Sequence, residues 1–98
     1  MNDVFKALAD PTRRRVLQLL KAGPQSAGQL SDAFPVSKPT MSAHFTVLKQ
    51  AGLVTSEKSG KSVIYYLNVS VLEDALLGFS DAFGFGRGDA DNNAETPQ

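Results

Sequence analysis

The sequence predicts a mainly α domain carrying one small β-hairpin, with elements in the order α-α-α-α-β-β-α. Three observations carry that prediction. Apolar residues recur at helical spacing through residues 4–50 and again from residue 72; the pattern turns to alternation in the β-branched and aromatic run that follows Gly52; and Ser59-Gly60-Lys61 divides that run as a hairpin turn does. A chain of 98 residues makes one compact domain with a modest core. Such a core leaves apolar surface that a second subunit would be a natural way to cover, so size alone already admits a dimer.

Each element follows from its residues. Val4, Phe5 and Leu8 fall on one side of a short first helix. Asp10-Pro11 restarts the chain, because an aspartate caps a helix and the fixed φ of proline suits its first position. Gly23-Pro24 stops it. Between them Val16, Leu17, Leu19 and Leu20 form a stripe, preceded by Arg13, Arg14 and Arg15. Ser26 is placed to cap a short helix reaching Phe34, with Leu30 and Phe34 inward. Ser37 caps a longer helix over 38–51, where Pro39 is tolerated in the first turn and Ala51-Gly52 is the stop. Two helices joined by a turn of about three residues make a helix-turn-helix, and a hairpin attached directly to it is a wing. Asn68 or Ser70 caps the last helix, Ser70 and Glu73 having capping-box spacing. Leu72, Ala75, Leu76, Phe79, Ala82 and Phe83 line its apolar face. The folded domain is expected over residues 1–83, and 84–98, glycine-rich and acidic, as a disordered tail.

The net charge of zero conceals an asymmetry. Residues 1–72 hold nine of the ten Lys/Arg and four of the ten acids, a charge of +5, which leaves −5 on residues 73–98. The split suggests a body that meets an anion beside an acidic tail, although charge alone equally describes a solvated surface.

The outer face of the 38–51 helix sharpens this. With Met41, Phe45 and Leu48 turned inward, Pro39, Ser42, Ala43, Thr46 and Gln50 turn outward, and Thr40 lies on a flank. Acids there would be repelled by phosphates. Short hydroxyls and methyls let a helix seat in a major groove about 12 Å wide, where Ser and Thr bond either base edge. Taken singly, Ser42 and Thr46 are equally solvated polar positions; together, on the second helix of this motif, they point to base readout. Lys38 and Lys49, with Ser37 at the helix start, lie where phosphates pass. Lys58 and Lys61 flank the wing tip over 57–62, within reach of a flanking minor groove. Arg13, Arg14 and Arg15 are open between a solvated first turn with one structural ion pair and direct DNA contact.

In combination, "DPTRRRVLQLL", "SKPTMSAHFTVLKQAGLV" and "GKSVIYYLN" resemble the ArsR/SmtB family of winged-helix repressors, from residue 3 to about residue 83. The opening "VFKALADPTRR" is similar to that of the metal-independent autorepressors typified by the sporulation-delaying-protein regulator. The resemblance implies a repressor of transcription, paired as a homodimer through its first and last helices. It also implies that His44 lies against the DNA backbone. The interface is then expected from Val4, Phe5, Leu8, Leu72, Leu76, Phe79 and Phe83, and the double-stranded operator is expected to be an inverted repeat.

Several function classes are excluded by composition. With no cysteine and one histidine, a thiolate nucleophile, a disulfide framework and a sulfur-ligated metal are all absent. Glu73, Asp74 and Asp81 offer oxygens, but no imidazole accompanies them, so neither metal nor cofactor is expected. No nucleophile with a matched His and acid, no glycine-rich phosphate loop and no suitable carboxylate pair indicates an enzyme. No apolar run approaches the roughly 18 residues of a membrane span, and the start lacks signal-peptide character, so a cytoplasmic location is expected. The input signal is a protein partner, a small non-metal effector or none. The rival reading is a winged-helix module for protein interaction, against which the basic wing tip argues.

Overall fold

A computed structural model describes residues 2–84, with side chains from residue 3. Its elements are α1 (Asn2–Leu8), α2 (Pro11–Lys21), β1 (Gln25–Ser26), α3 (Ala27–Asp32), α4 (Lys38–Gln50), β2 (Val54–Ser59), β3 (Ser62–Leu67) and α5 (Val69–Phe83). This is the mainly α, winged helix-turn-helix order read from the sequence, with one strand added. β1 pairs with β3, Gln25 opposite Tyr65 and Ser26 opposite Ile64, giving an antiparallel sheet of order β1-β3-β2. A two-residue strand has no alternation to read, and this one lies hidden between the Gly23-Pro24 stop and the Ser26 cap. The expected tail lies outside the described residues, save Gly84.

Three helix starts are held by their predicted caps. The Asp10 carboxylate accepts the Arg13 N–H at 3.0 Å, and the Ser37 hydroxyl accepts that of Thr40 at 3.3 Å. Ser26 and Gln29 form a reciprocal capping box, with bonds of 2.9 and 3.1 Å. The box expected at Ser70 and Glu73 does not form. α5 starts after Asn68, the first of its two expected caps, although no side-chain cap bond forms there. Backbone bonding sets that start: the Asn68 N–H donates to Leu53 O at 2.9 Å, tying the end of β3 to the head of the wing. α3 also ends at Asp32, so the turn to α4 spans 33–37 and is longer than expected; Phe34 still packs, half-buried, against the core.

Leu30, Met41, Leu48 and Leu53 are fully enclosed, joined by Val16 and Leu20 of α2. Phe45 lies against Tyr65 of β3 with ring centroids 4.7 Å apart, fastening α4 to the sheet. α1 adds Val4 and Ala7, whereas α5 buries only Ala75 completely.

The end of α4 sets the direction of the wing. Leu53 N–H donates to Leu48 O at 3.1 Å and Gly52 N–H to Lys49 O at 2.9 Å, the paired bonds of a Schellman motif. Leu48 and Leu53, which this motif brings together, are both completely buried. Gly52 makes the reversal at φ +76°, where a side chain is strained. Gly52→Ala is therefore expected to lower unfolding free energy by about 1 kcal/mol or more. Urea denaturation checks this; an unchanged midpoint would show that the turn is not under this constraint.

Candidate nucleic-acid interface

Helix α4 presents the predicted residues together. Lys38, Thr40, Ser42, Ala43, Thr46 and Lys49 are exposed along it, while Met41, Phe45 and Leu48 are buried on the opposite side. No acid occurs in the helix, KPTMSAHFTVLKQ. The hydroxyls differ in what they have left to offer. Ser37 Oγ donates to Thr40 Oγ1 at 2.9 Å and accepts the Thr40 N–H, so it is spent on the cap. Thr46 Oγ1 donates back to Ser42 O at 3.0 Å, leaving its lone pairs and methyl for any partner. Among the described residues, Ser42 Oγ has no hydrogen-bond partner.

Register places the wing lysines at the far end of the hairpin. Lys58 stands opposite Val63, and Lys61 follows Gly60 in the turn between Ser59 and Ser62; both lysines are exposed. Glu57, the acid nearest the tip, accepts a hydrogen bond from the Tyr66 hydroxyl at 3.1 Å. That bond, aided by burial and the carboxylate's charge, pushes the Tyr66 phenol above its ordinary value of 10.0. The acid is held against the strand and leaves the tip to the lysines.

The arginine run resolves largely into structure. Arg13 Nε and Nη2 donate to Ala7 O and Lys6 O, each at 2.9 Å, and Arg14 Nη1 donates to Leu8 O at 2.8 Å. These carbonyls end α1, where Lys6 O also accepts the Ala9 N–H at 3.3 Å, and two cations there supply further donors and offset the negative end of the helix dipole. Arg15 bonds Gln18 at 3.0 Å and stays exposed. Sequence reasoning missed this capping role; the legible signal was the short spacing between the end of α1 and three consecutive arginines.

His44 lies beside this cluster, its side chain only 14% exposed, with Nδ1 3.3 Å from Arg13 Nη1 and 3.9 Å from Asp10 Oδ2. The Asp10 carboxyl sits below its ordinary value of 3.8, chiefly because it accepts the Arg13 N–H; burial opposes this, and the fields of His44 and Arg13 add to it. Among the described residues no group of three or more His, Asp or Glu side chains is arranged to hold a metal ion.

The expected interface residues separate into two sets. Val4 is 7% exposed and faces the protomer's own core, contrary to the expectation that it meets a partner, because the turn of α1 that carries it packs inward with Ala7. Leu8 and Leu72 are half-buried against that core. Phe5, Leu76, Phe79 and Phe83 remain exposed, and the Phe5 and Phe79 rings meet edge-on at 5.7 Å between α1 and α5. Phe79 and Phe83 stack at 4.8 Å. Leu77, 62% exposed, was not anticipated, since it falls off the stripe that defined the face.

Known proteins share both sequence and architecture. Residues 8–57 match a family model described as a helix-turn-helix domain. The transcriptional repressor SdpR of Bacillus subtilis is 46% identical over 76 residues, covering 78% of this chain and 84% of the relative. The arsenical resistance operon repressor of Staphylococcus aureus is 36% identical over 76 residues, covering 78% and 73%. A solved structure of a possible transcriptional regulator for arsenical resistance superposes with TM-score 0.73 at 38% identity, covering 91% of this chain and 95% of that one. An ArsR family transcriptional regulator superposes at 0.71 with 29% identity, covering 85% and 89%.

The Asp10 cap supplies a test of this corner of the site. Asp10→Ala is expected to cost about 1 kcal/mol of stability at neutral pH, and Asp10→Asn much less. Because the folded carboxyl titrates below 3.8, its stabilisation is complete above that value and drains away as pH falls through the folded pKa. The gap between wild type and Asp10→Ala should therefore narrow in acid; chemical denaturation at neutral and acid pH measures it, and a constant gap would remove the charge from the account.

Proposed function

The chain belongs to the ArsR/SmtB family of winged helix-turn-helix transcriptional repressors, and on that premise we propose that it represses as a homodimer, inserting α4 into the major groove of an inverted-repeat operator. The observation that carries this reading is the exposed, acid-free outer face of α4, built of short side chains and flanked by lysines. Ser42 and Thr46 meet base edges. Ser42 brings a free hydroxyl, and Thr46 a methyl and lone pairs. Lys38, Lys49, Lys58 and Lys61 meet phosphates, the last two from the wing at the flanking groove. Thr40 and Ala43 line the same approach, and Ser37 acts through its cap. The repressor works in the cytoplasm, where its DNA target lies, and it acts on its own promoter. Among the described residues no helix is long and apolar enough to cross a membrane. Its relatives are DNA-binding regulators, and its chemistry is recognition rather than catalysis.

Metal plays no part in this reading, since the sequence has no cysteine and its single histidine is engaged through Nδ1 with Arg13. The input is a protein partner, a small non-metal effector or none.

The two groups of contacts should fail differently. Lys58→Ala or Lys61→Ala should weaken binding to operator and random DNA alike and flatten the dependence of log affinity on log salt by roughly one per lost contact in each half-site. Ser42→Ala should instead cost about 1–3 kcal/mol on the operator alone. Affinities for operator and scrambled duplex at several salt concentrations measure both; equal specificity ratios and slopes for the two classes would refute the division of labour.

Dimerisation is supported by Phe5, Leu76, Phe79 and Phe83, which α1 and α5 leave exposed on one protomer. Leu76→Asp should place an unpaired charge in that interface and yield monomers or insoluble chain. A folded wild-type monomer in sedimentation at micromolar concentration would contradict the proposal.

A further inference from the structure

One contact joins three elements outside the exposed face of α4. Two of the Arg13 guanidinium nitrogens hold the terminal carbonyls of α1, Lys6 O and Ala7 O, while the third, Nη1, reaches His44 Nδ1 on α4 at 3.3 Å. A guanidinium carries donors and no acceptor, so a hydrogen bond at this contact requires Nδ1 to be unprotonated. The proton of a neutral imidazole then resides on Nε2. Asp10 Oδ2 would attract a protonated Nδ1, but it lies 3.9 Å away, beyond hydrogen-bond reach, and already accepts the Arg13 N–H at 3.0 Å. Asp10 and Arg13 are the charged side chains that face the imidazole; Lys6 contributes only its carbonyl.

We infer that Arg13 is a positioning residue for DNA binding: in one guanidinium it fixes His44 as a neutral Nε2–H donor and locks α4 against the end of α1. The inference rests on the reading of α4 as the helix that enters DNA. A donor at Nε2 is what a phosphate oxygen needs from this ring, and the opposite tautomer would present a lone pair to it. The same clamp ties α4 to the helix that carries Phe5 of the apolar face, so the seating of the recognition helix depends on the position of α1. The planar fork of arginine serves all three acceptors at once, which the single ammonium of lysine does not.

The test uses the full chain and duplex DNA from upstream of its own coding region. As the sequence has one histidine, its ring nitrogens are assigned without ambiguity in long-range proton–nitrogen NMR spectra. The free wild type should show an unprotonated Nδ1 and a protonated Nε2 near neutral pH. Arg13→Gln and Arg13→Lys should convert this to mixed tautomers and lower operator affinity by roughly tenfold, while in a His44→Gln background, which keeps a donor amide, the Arg13 changes should cost less than about threefold. A purely structural arginine would lower the unfolding midpoint and the operator affinity equally in both backgrounds; that result, or a protonated Nδ1 in the wild type, overturns the inference. Loss of all operator preference in the wild type would instead refute the DNA-binding reading, while the tautomer measured on the free protein still decides the clamp.

Discussion

Burial of one seam on α4 governs the rest of the molecule. Met41, Phe45 and Leu48 enter the core between Leu30, Leu53 and Tyr65, and each contributes about 1.5–3 kcal/mol of apolar burial. That burial sets the rotation of the helix about its axis. Once it is set, helical geometry alone decides that Ser42, Ala43 and Thr46 face outward and that His44 turns toward α2. The chemistry of the outer face is therefore a consequence of packing. A slip of one residue in the seam would exchange the exposed hydroxyls for core residues.

The two ends of α4 fix where the chain enters the helix and where it leaves for the wing. At its start, Ser37 and Pro39 fix the entry of the chain; at its end, the Gly52 reversal sends β2 away from the helix and carries Lys58 and Lys61 to the far end of the hairpin. Helix and wing are thus set at a fixed angle by a few backbone bonds. α5 is the exception to compact packing. It buries Ala75 but leaves Leu76 and Leu77 largely exposed on its surface, beside the half-exposed ring of Phe79 that meets Phe5.

Much of this was legible in the residues because local chemistry and tertiary role agree. Asp10, Ser26 and Ser37 cap the helices they precede, the seam has helical spacing, and Gly60 turns the hairpin. The misses share a different origin. β1 is too short to have a period; of the two starts the sequence offers for α5, the helix takes Asn68, whose N–H bonds Leu53 O, and the Ser70–Glu73 box does not form; and the work of Arg13 and Arg14 depends on where α1 ends relative to α2. Val4 was assigned outward because a seven-residue helix offers too few turns to tell an inner stripe from an outer one. In each case the deciding partner is distant in sequence or lies on the backbone.

The central claim is that two copies of α4 read successive major grooves on one face of DNA. Methylation interference on the duplex upstream of the chain's own coding region tests it directly, because guanine N7 lies in the major groove. The account predicts interference at two symmetry-related clusters with centres about 10–10.5 base pairs, or a multiple of that, apart. Interference confined to one cluster, or absent from the major groove while binding persists, would contradict it.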